Sequence, residues 1–319
     1  MRLLVTGAAG FIGRNTLLTL PDSWHVVALF RPGNMNFLRF LEAHQLSHVQ
    51  PVPCDLTNRQ QVEQAIGEVG GNFDSCLALA ASPLTSSIEH PVQDLTTNVI
   101  GLLHILQYCT FDHLVYLSSA MVYIGLKGLV GPESAVSPHV PYAISKLAAE
   151  HYIRSFVHHH QTPKSATIVR LFNVYGPYGK TLPAKLVRQF AFERNPHFTI
   201  IGDGENYLDT MYVDDAVKAL QAVLALPPPE GVRCIDLGTG SSETVNQIVM
   251  RAAHTFELEP QISYEGSPSA YVQFVMDPEP FALAYGFTPM IPLEVGLTRL
   301  AHLEQEDKMG GGIQGGGAP

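Results

Sequence analysis

Through the first half of the chain, short apolar runs alternate with stretches whose apolar positions recur at helical spacing, and small or polar residues punctuate each junction. Strand-sized runs fall at Arg2 to Val5, Val26 to Phe30, Val49 to Pro51, Ser75 to Ala80, Leu114 to Ser118 and Thr167 to Leu171. Helical patterns lie between them at Phe11 to Leu20, Asn36 to Ala43, Arg59 to Val69, Asp94 to Cys109 and Pro141 to His158. This alternation predicts parallel strands joined by right-handed crossovers, an α/β doubly wound parallel sheet covered by helices on both faces. After residue 172 the rhythm changes. Asn173 to Gly179 is turn-rich, Pro183 to Glu193 reads as a helix, and Phe198 to Ile201 as a short strand ending at Gly202-Asp203-Gly204. A helix from Val213 to Leu226 stops at three prolines, Cys234 to Leu237 and Ile262 to Tyr264 are short strands, and Leu293 to Glu306 closes the fold as a helix. The expected organisation is therefore a main domain over residues 1–172 and a smaller C-terminal α/β region over 173–309, with segments returning to the first. Residues 310–319, dominated by glycine, should form a disordered tail.

Composition narrows the function classes. The chain has 319 residues and is 46% apolar, enough for one large core or a large and a small one. Lys and Arg total 19 against 29 Asp and Glu, for a formal net charge of -10, which argues against a nucleic-acid or acidic-membrane surface. Any anionic ligand must be held locally. Cys54, Cys76, Cys109 and Cys234 lack metal-ligand spacing and read as buried hydrophobes, so no metal site is expected. With no secretion signal or membrane-length apolar run in the pattern, a reduced cytoplasmic setting is the expectation. His158-His159-His160 reads as a solvated helix end, where cationic side chains favour the dipole.

Thr6 to Gly13 reads T-G-A-A-G-F-I-G directly behind the apolar Leu3-Leu4-Val5. A glycine-rich turn between a buried strand and a helix is the geometry of a dinucleotide pyrophosphate site. Gly7 takes the tight turn, Gly10 leaves room for the phosphate, and Gly13 lets the helix pack on the strand; Phe11 and Ile12 complete the motif. The second strand ends in Arg31-Pro32-Gly33-Asn34, with no acid to accept from ribose hydroxyls. Arg31 there suits a ribose 2′-phosphate, and hence NADP, unless it stacks on adenine or points into water. Asp55 can accept from the adenine amino group, Leu56 can flank the ring, and Ala80-Ala81-Ser82, after Leu79, offers small side chains where the cofactor ribose crosses the sheet, with Leu79, Ala80 and Ala81 as candidate cofactor contacts. Asn98, a polar amide in an apolar helical pattern, either holds a backbone loop near the active centre or faces solvent.

Tyr142 and Lys146 sit four apart, on one helix face, so the ammonium can stabilise a phenolate and reach the cofactor ribose. Ser119 ends the fifth predicted strand on the side where open parallel sheets bind ligands, and its hydroxyl can bridge a substrate oxygen and Tyr142. In these terms Ser119, Tyr142 and Lys146 are the candidate catalytic residues.

With these pieces in order, the chain resembles the extended short-chain dehydrogenase/reductases of the NAD(P)-dependent nucleotide-sugar epimerase and dehydratase group, from about Met1 to Leu303. The matching segments are T-G-A-A-G-F-I-G from Thr6, C-D-L from Cys54, L-A-A from Leu79, N-V-I-G from Asn98, S-S-A-M-V-Y from Ser118, P-Y-A-I-S-K from Pro141, R-L-F-N-V-Y-G-P from Arg170 and G-D-G-E-N-Y-L-D-T-M-Y-V-D-D from Gly202. The resemblance implies a Rossmann domain binding NAD or NADP, a nucleotide-sugar substrate touched by Asn173, and catalysis by Ser119, Tyr142 and Lys146. It also implies a homodimer with a four-helix interface around Leu102 to Cys109 and Ala143 to Phe156.

Departures from the group's pattern refine the expectation. Dehydratases of the group typically carry an Asp-Glu pair after the catalytic hydroxyl, whereas Ala120 and Met121 follow Ser119 here and cannot exchange a proton. The cysteine used by fucose-forming epimerase-reductases is likewise absent, leaving Met121 beside the substrate. The group usually places an arginine before Asp209 to clamp the diphosphate; this chain has Leu208, and Gly266 to Tyr271 lacks the second common arginine. Lys180, Lys185 or Arg188 can compensate, or are ordinary surface charges. The favoured function is a sugar-nucleotide epimerase working through a transient keto sugar by reversible hydride transfer. An NADPH-dependent ketoreductase of a keto-deoxy sugar nucleotide and a non-catalytic nucleotide-binding scaffold are the alternatives.

Overall fold

The computed structural model describes residues 1–309 apart from 161 and 268–271. The predicted disordered tail and most of the Gly266 to Tyr271 loop therefore lie outside the described residues. The first strands are β1 (Arg2–Thr6), β2 (His25–Phe30), β3 (Val49–Pro53), β4 (Asn72–Ala78) and β5 (Thr110–Ser119). They are followed by β6 (Lys127–Val130), β7 (Ser165–Leu171), β8 (Asn173–Tyr175), β9 (His197–Ile201), β10 (Tyr207–Tyr212) and β11 (Gly231–Leu237). Seven of these form one parallel sheet in the order β11-β7-β5-β4-β1-β2-β3. Strand order reverses between β1 and β4, and a doubly wound sheet opens a ligand crevice at such a switch.

The helices of the first half are α1 (Phe11–Leu17), α2 (Met35–Ala43), α3 (Arg59–Val69), α4 (Pro91–Leu95), α5 (Gly101–Tyr108) and α6 (Pro141–His159). Side chains alternate across each strand, so neighbours in sequence enter different cores. Leu3, Val5, Ala28 and Val115 join one buried cluster with Phe37 and Phe40 of α2, while Leu4, Val27, Leu114 and Tyr116 join another with Val62 of α3, Ile105 of α5 and Ile153 of α6. Cys54, Cys76 and Cys109 belong to this second core. His158, His159 and His160 are exposed at the end of α6.

Two of the expected helices are divided in the structure. The pattern from Asp94 to Cys109 is not one helix: α4 begins at Pro91, a π-helical turn covers Thr96–Ile100, and α5 continues from Gly101. Proline suits a first helical position, where its missing N–H has no partner to lose, so the helix starts earlier than the apolar spacing suggested. The Pro183 to Glu193 pattern is likewise divided, into α7 (Leu182–Leu186) and a π-helical turn over Val187–Phe192.

The C-terminal part adds α8 (Val213–Ala225), β12 (Ser242–Thr244), α9 (Val245–Thr255), β13 (Gln261–Glu265), β14 (Gln273–Met276), α10 (Glu279–Tyr285) and α11 (Leu293–Met309). A three-stranded sheet runs β12-β10-β8, and β13 pairs with β9 and β14 with β6. The last pair ties the C-terminal region to the segment just after β5. Helix α9 opens with a capping box, in which the Thr244 side chain accepts from Gln247 N and the Gln247 side chain accepts from Thr244 N. Among the described residues no helix is long and apolar enough to cross a membrane.

Candidate active site

The glycine turn lies between β1 and α1. Gly7 has a φ of +67°, and a Cβ there would stand 2.6 Å from the Ala80 nitrogen. A Cβ on Gly13 would stand 2.5 Å from the Ala8 oxygen, so this first turn of α1 closes only without a side chain. Around the turn lies a cavity of about 340 Å³ lined by Gly7, Gly10, Arg31, Asp55, Leu56, Leu79, Ala80 and Ala81, among others. Eight expected cofactor contacts from four strand ends thus share one space. Phe11, Ile12 and Gly13 form the start of α1 beside it. Thr57 and Thr97 also line it, and sequence reasoning had not singled them out. Arg31 is exposed, while Asp55 already accepts hydrogen bonds from the Thr57 hydroxyl at 2.8 Å and the Thr57 N–H at 3.0 Å. A crevice with a helix N-terminus and no room for a Cβ at its base fits a dinucleotide diphosphate.

Ser119 ends β5 and its hydroxyl accepts from the Met121 N–H at 3.2 Å, which caps the single 3₁₀ turn over Ala120–Tyr123. Ala120 and Met121 are held in that turn. Tyr142 stands in the first turn of α6, and Lys146 one turn on, with its ammonium 5.9 Å from the Tyr142 ring centroid and 4.8 Å from that of Tyr116. The ammonium donates to the Leu117 carbonyl at 2.7 Å. Burial pushes the Tyr142 phenol up to about 12, against a hydrogen bond with Ser119 that works downward, and a nearby Asp94 charge adds to the rise. Burial lowers Lys146 to about 8, against the attraction of Asp94 and Glu150. Near neutral pH the pair is therefore a phenol beside an ammonium, a proton store whose phenol needs further positive charge to ionise.

Asn98 is buried within the π-helical turn. Its Oδ1 accepts from the Ser82 N–H at 2.8 Å, and its Nδ2 donates to Asp94 at 3.0 Å and to the Ser145 hydroxyl at 2.9 Å. Of the two readings of Asn98, the structure takes the loop-holding one: the amide fastens the segment after β4 to α6. Sequence reasoning missed Asp94 and Ser145; the only local signals were an acid four residues before Asn98 and a hydroxyl directly before Lys146. It also missed a second buried network behind Ser119. There Ser118 donates to Glu150 at 2.6 Å, Arg170 grips both Glu150 oxygens at 2.8 and 3.0 Å, and Tyr123 donates to Asp236 of β11 at 2.7 Å.

The expected substrate contacts are more dispersed. Asn173 is exposed at the start of β8 and Met121 is half-buried. Lys185 on α7 and Arg188 on the turn after it are exposed and do not line the cavity described above. Leu208 pairs with Glu243 across β10 and β12, and the buried Asp209 accepts from the backbone of Thr239 and Gly240, fixing that turn.

Residues 3–233 match the model of the NAD dependent epimerase/dehydratase family. A dTDP-glucose 4,6-dehydratase of Xanthomonas campestris pv. campestris is 32% identical over 245 residues, covering 70% of this chain and 67% of that protein. A UDP-glucuronate 4-epimerase of Thermodesulfobacterium geofontis is 27% identical over 320 residues, 95% of this chain and 96% of that protein. Among solved structures, MoeE5 in complex with UDP-glucuronic acid and NAD superposes with a TM-score of 0.81 at 26% identity, covering 96% of this chain and 99% of that one. A Bacillus cereus UDP-glucuronic acid 4-epimerase reaches a TM-score of 0.84 at 24% identity, over 96% of this chain and 99% of that one, a likeness of fold.

Proposed function

Because the chain belongs to the NAD dependent epimerase/dehydratase family, we propose that it acts as a sugar-nucleotide epimerase that retains its NAD and works through a transient keto sugar. The observation that carries this reading is the convergence of Ser119, Tyr142 and Lys146 on the C-terminal end of β5, without a proton-exchanging side chain at Ala120 or Met121. The relatives include dehydratases, but elimination needs an acid and a base on the sugar, and this turn offers a methyl and a thioether.

When bound, the nicotinamide supplies a hydride acceptor and a positive charge. The N–H groups at the start of α1 would hold the diphosphate, Asp55 would accept from the adenine amino group, and Lys146 would take a ribose hydroxyl. Tyr142, as phenolate, removes the proton from a sugar hydroxyl, and Ser119 holds that oxygen as it becomes a carbonyl. Moving the Tyr142 phenol from about 12 to near neutrality corresponds to roughly 7 kcal/mol of differential stabilisation. Asn173 touches the nucleotide sugar. Lys180, Lys185 or Arg188, the first cations after β8 in the sequence, are the proposed source of the charge that Leu208 does not supply.

Arg31 favours a second reading, an NADPH-consuming ketoreductase, since its guanidinium borders the cavity with no acid beside it on that strand end. One experiment separates the two. Mass spectrometry of the cofactor released from denatured wild-type protein and from Arg31→Asp should find NAD in both, about one per protomer. An empty wild-type site, with turnover that needs external NADPH, would establish the reductase and discard the epimerase. We further infer a homodimer through α5 and α6, supported by exposed Ile100 before α5, and Ile144 and Tyr152 on α6. Sedimentation at one protomer mass would remove that inference.

A further inference from the structure

Asp94 on α4 is a carboxylate that nothing in the proposed chemistry uses, yet it stands at the junction of the catalytic helix and the cofactor loop. Only 1% of the residue is exposed, and among the described residues it makes no ion pair. Its Oδ2 accepts from the Ser145 hydroxyl at 2.6 Å and its Oδ1 from Asn98 Nδ2 at 3.0 Å. The Ser145 hydroxyl also lies 2.9 Å from the Tyr142 carbonyl, but its single proton goes to the charged acceptor, where the bond is shorter and stronger. Asn98, held in turn, receives the Ser82 N–H at 2.8 Å. One carboxylate therefore fixes both the turn that carries Tyr142 and Lys146 and the segment that continues the cavity wall of Ala80 and Ala81. An uncompensated buried charge is strongly unfavourable, so a site that keeps one needs a nearby group of opposite sign.

Lys146, the residue after Ser145, is the cation of that turn. From β5 the Tyr116 ring and the Leu117 carbonyl face it and from α6 itself Tyr142, while Asp94 of α4 and Glu150 of α6 act on it through their charge. Glu150 is already neutralised by the two-pronged ion pair with Arg170, whereas Asp94 is not. Tyr142 is hydrogen-bonded to Ser119 and is influenced by the charge of the same Asp94.

We propose that Asp94 is a positioning residue of the reaction, holding Ser145 and Asn98 and, through them, the turn that carries Tyr142 and Lys146 against the loop after β4. This rests on the reading of Tyr142 and Lys146 as the catalytic pair. The Asp94 charge opposes the lowering of Lys146 by burial, so removing it should also let the ammonium lose its proton at lower pH.

The test is Asp94→Asn in the full-length holoenzyme, with Asp94→Glu as the charge-retaining control. In Asp94→Asn, kcat should fall about ten- to a hundredfold with KM little changed, because a misplaced catalytic turn affects the reacting geometry. The alkaline limb of the pH–kcat profile should move down by about one pH unit. The same shift should appear without turnover, in the pH dependence of NAD affinity of the protein stripped of cofactor and titrated by fluorescence. Asp94→Glu should keep the limb at its wild-type position even where kcat suffers. A kcat within a few-fold of wild type in Asp94→Asn, or a limb unmoved in both measurements, would overturn the proposal and leave Asp94 a packing residue. If Asp94→Asn does not fold, Asp94→Ser removes the charge with room for water and is judged by the same limb. Failure of the catalytic reading itself shows elsewhere, as full turnover in Tyr142→Phe, so the two failures are distinguishable.

Discussion

Replacing Tyr142 by phenylalanine is expected to lower turnover by a factor on the order of 10² to 10⁴ while cofactor binding persists. The substitution removes one oxygen and keeps the ring, so the first turn of α6 and the packing around Lys146 remain. What disappears is the base for the sugar hydroxyl and the hydrogen-bond partner of Ser119. The check is a single-turnover measurement with sugar nucleotide, alongside NAD titration of the same preparation. Turnover within a few-fold of wild type would remove Tyr142 from the chemistry. In wild type the phenol sits far above neutral pH in the cofactor-free protein, so proton removal should gain as pH rises, until Lys146 in turn loses its proton.

Glu150→Ala is expected to cost about 3–5 kcal/mol of stability, because it strands a buried guanidinium instead of removing a neutral contact. The side chains of Arg170 and Glu150 are 5% and 1% exposed and meet at 2.8 Å. Loss of Glu150 also frees the Ser118 hydroxyl, directly before Ser119, so the damage reaches the active strand as well as the core. Urea unfolding followed by circular dichroism measures it, and Arg170→Met in the Glu150→Ala background should recover part of the loss by removing the stranded charge. A change below about 1 kcal/mol in Glu150→Ala would mean that water or another acceptor satisfies Arg170.

The parts of the site that were legible in the sequence are those whose chemistry is local. Gly7, Gly10 and Gly13 announce a turn because only glycine fits there, and Tyr142 and Lys146 announce a pair because four residues make about one helical turn. The parallel sheet was legible for a similar reason, since β1 to β5 and β7 are apolar runs separated by helices. Asp94 was not, because its meaning arises only when α4 packs on α6 and brings it to Ser145, 51 residues away. Nor was the break in the Asp94 to Cys109 pattern: an apolar stripe reads much the same through a π-helical turn, yet that turn is what carries Asn98. β6 and β14 escaped notice because each is short, and among the described residues they pair with one another; β8, β10, β12, α9 and α10 were not foreseen either.

The place of β11 has a consequence for how the molecule is made. This strand follows the change of rhythm at residue 172, yet it forms the outer edge of the main sheet against β7, and its Asp236 anchors Tyr123 behind Ser119. As the chain emerges from the ribosome, β7 is complete well before its outer neighbour exists, and its backbone donors and acceptors stay open to any passing strand. Closing that edge requires a long-range parallel pairing, a slow class of event because chain entropy is lost before the contact forms. The turn behind Ser119 thus gains its Asp236 anchor only after the chain has been read through Leu237, and the interval between β7 and β11 is a stretch of synthesis exposed to misassociation.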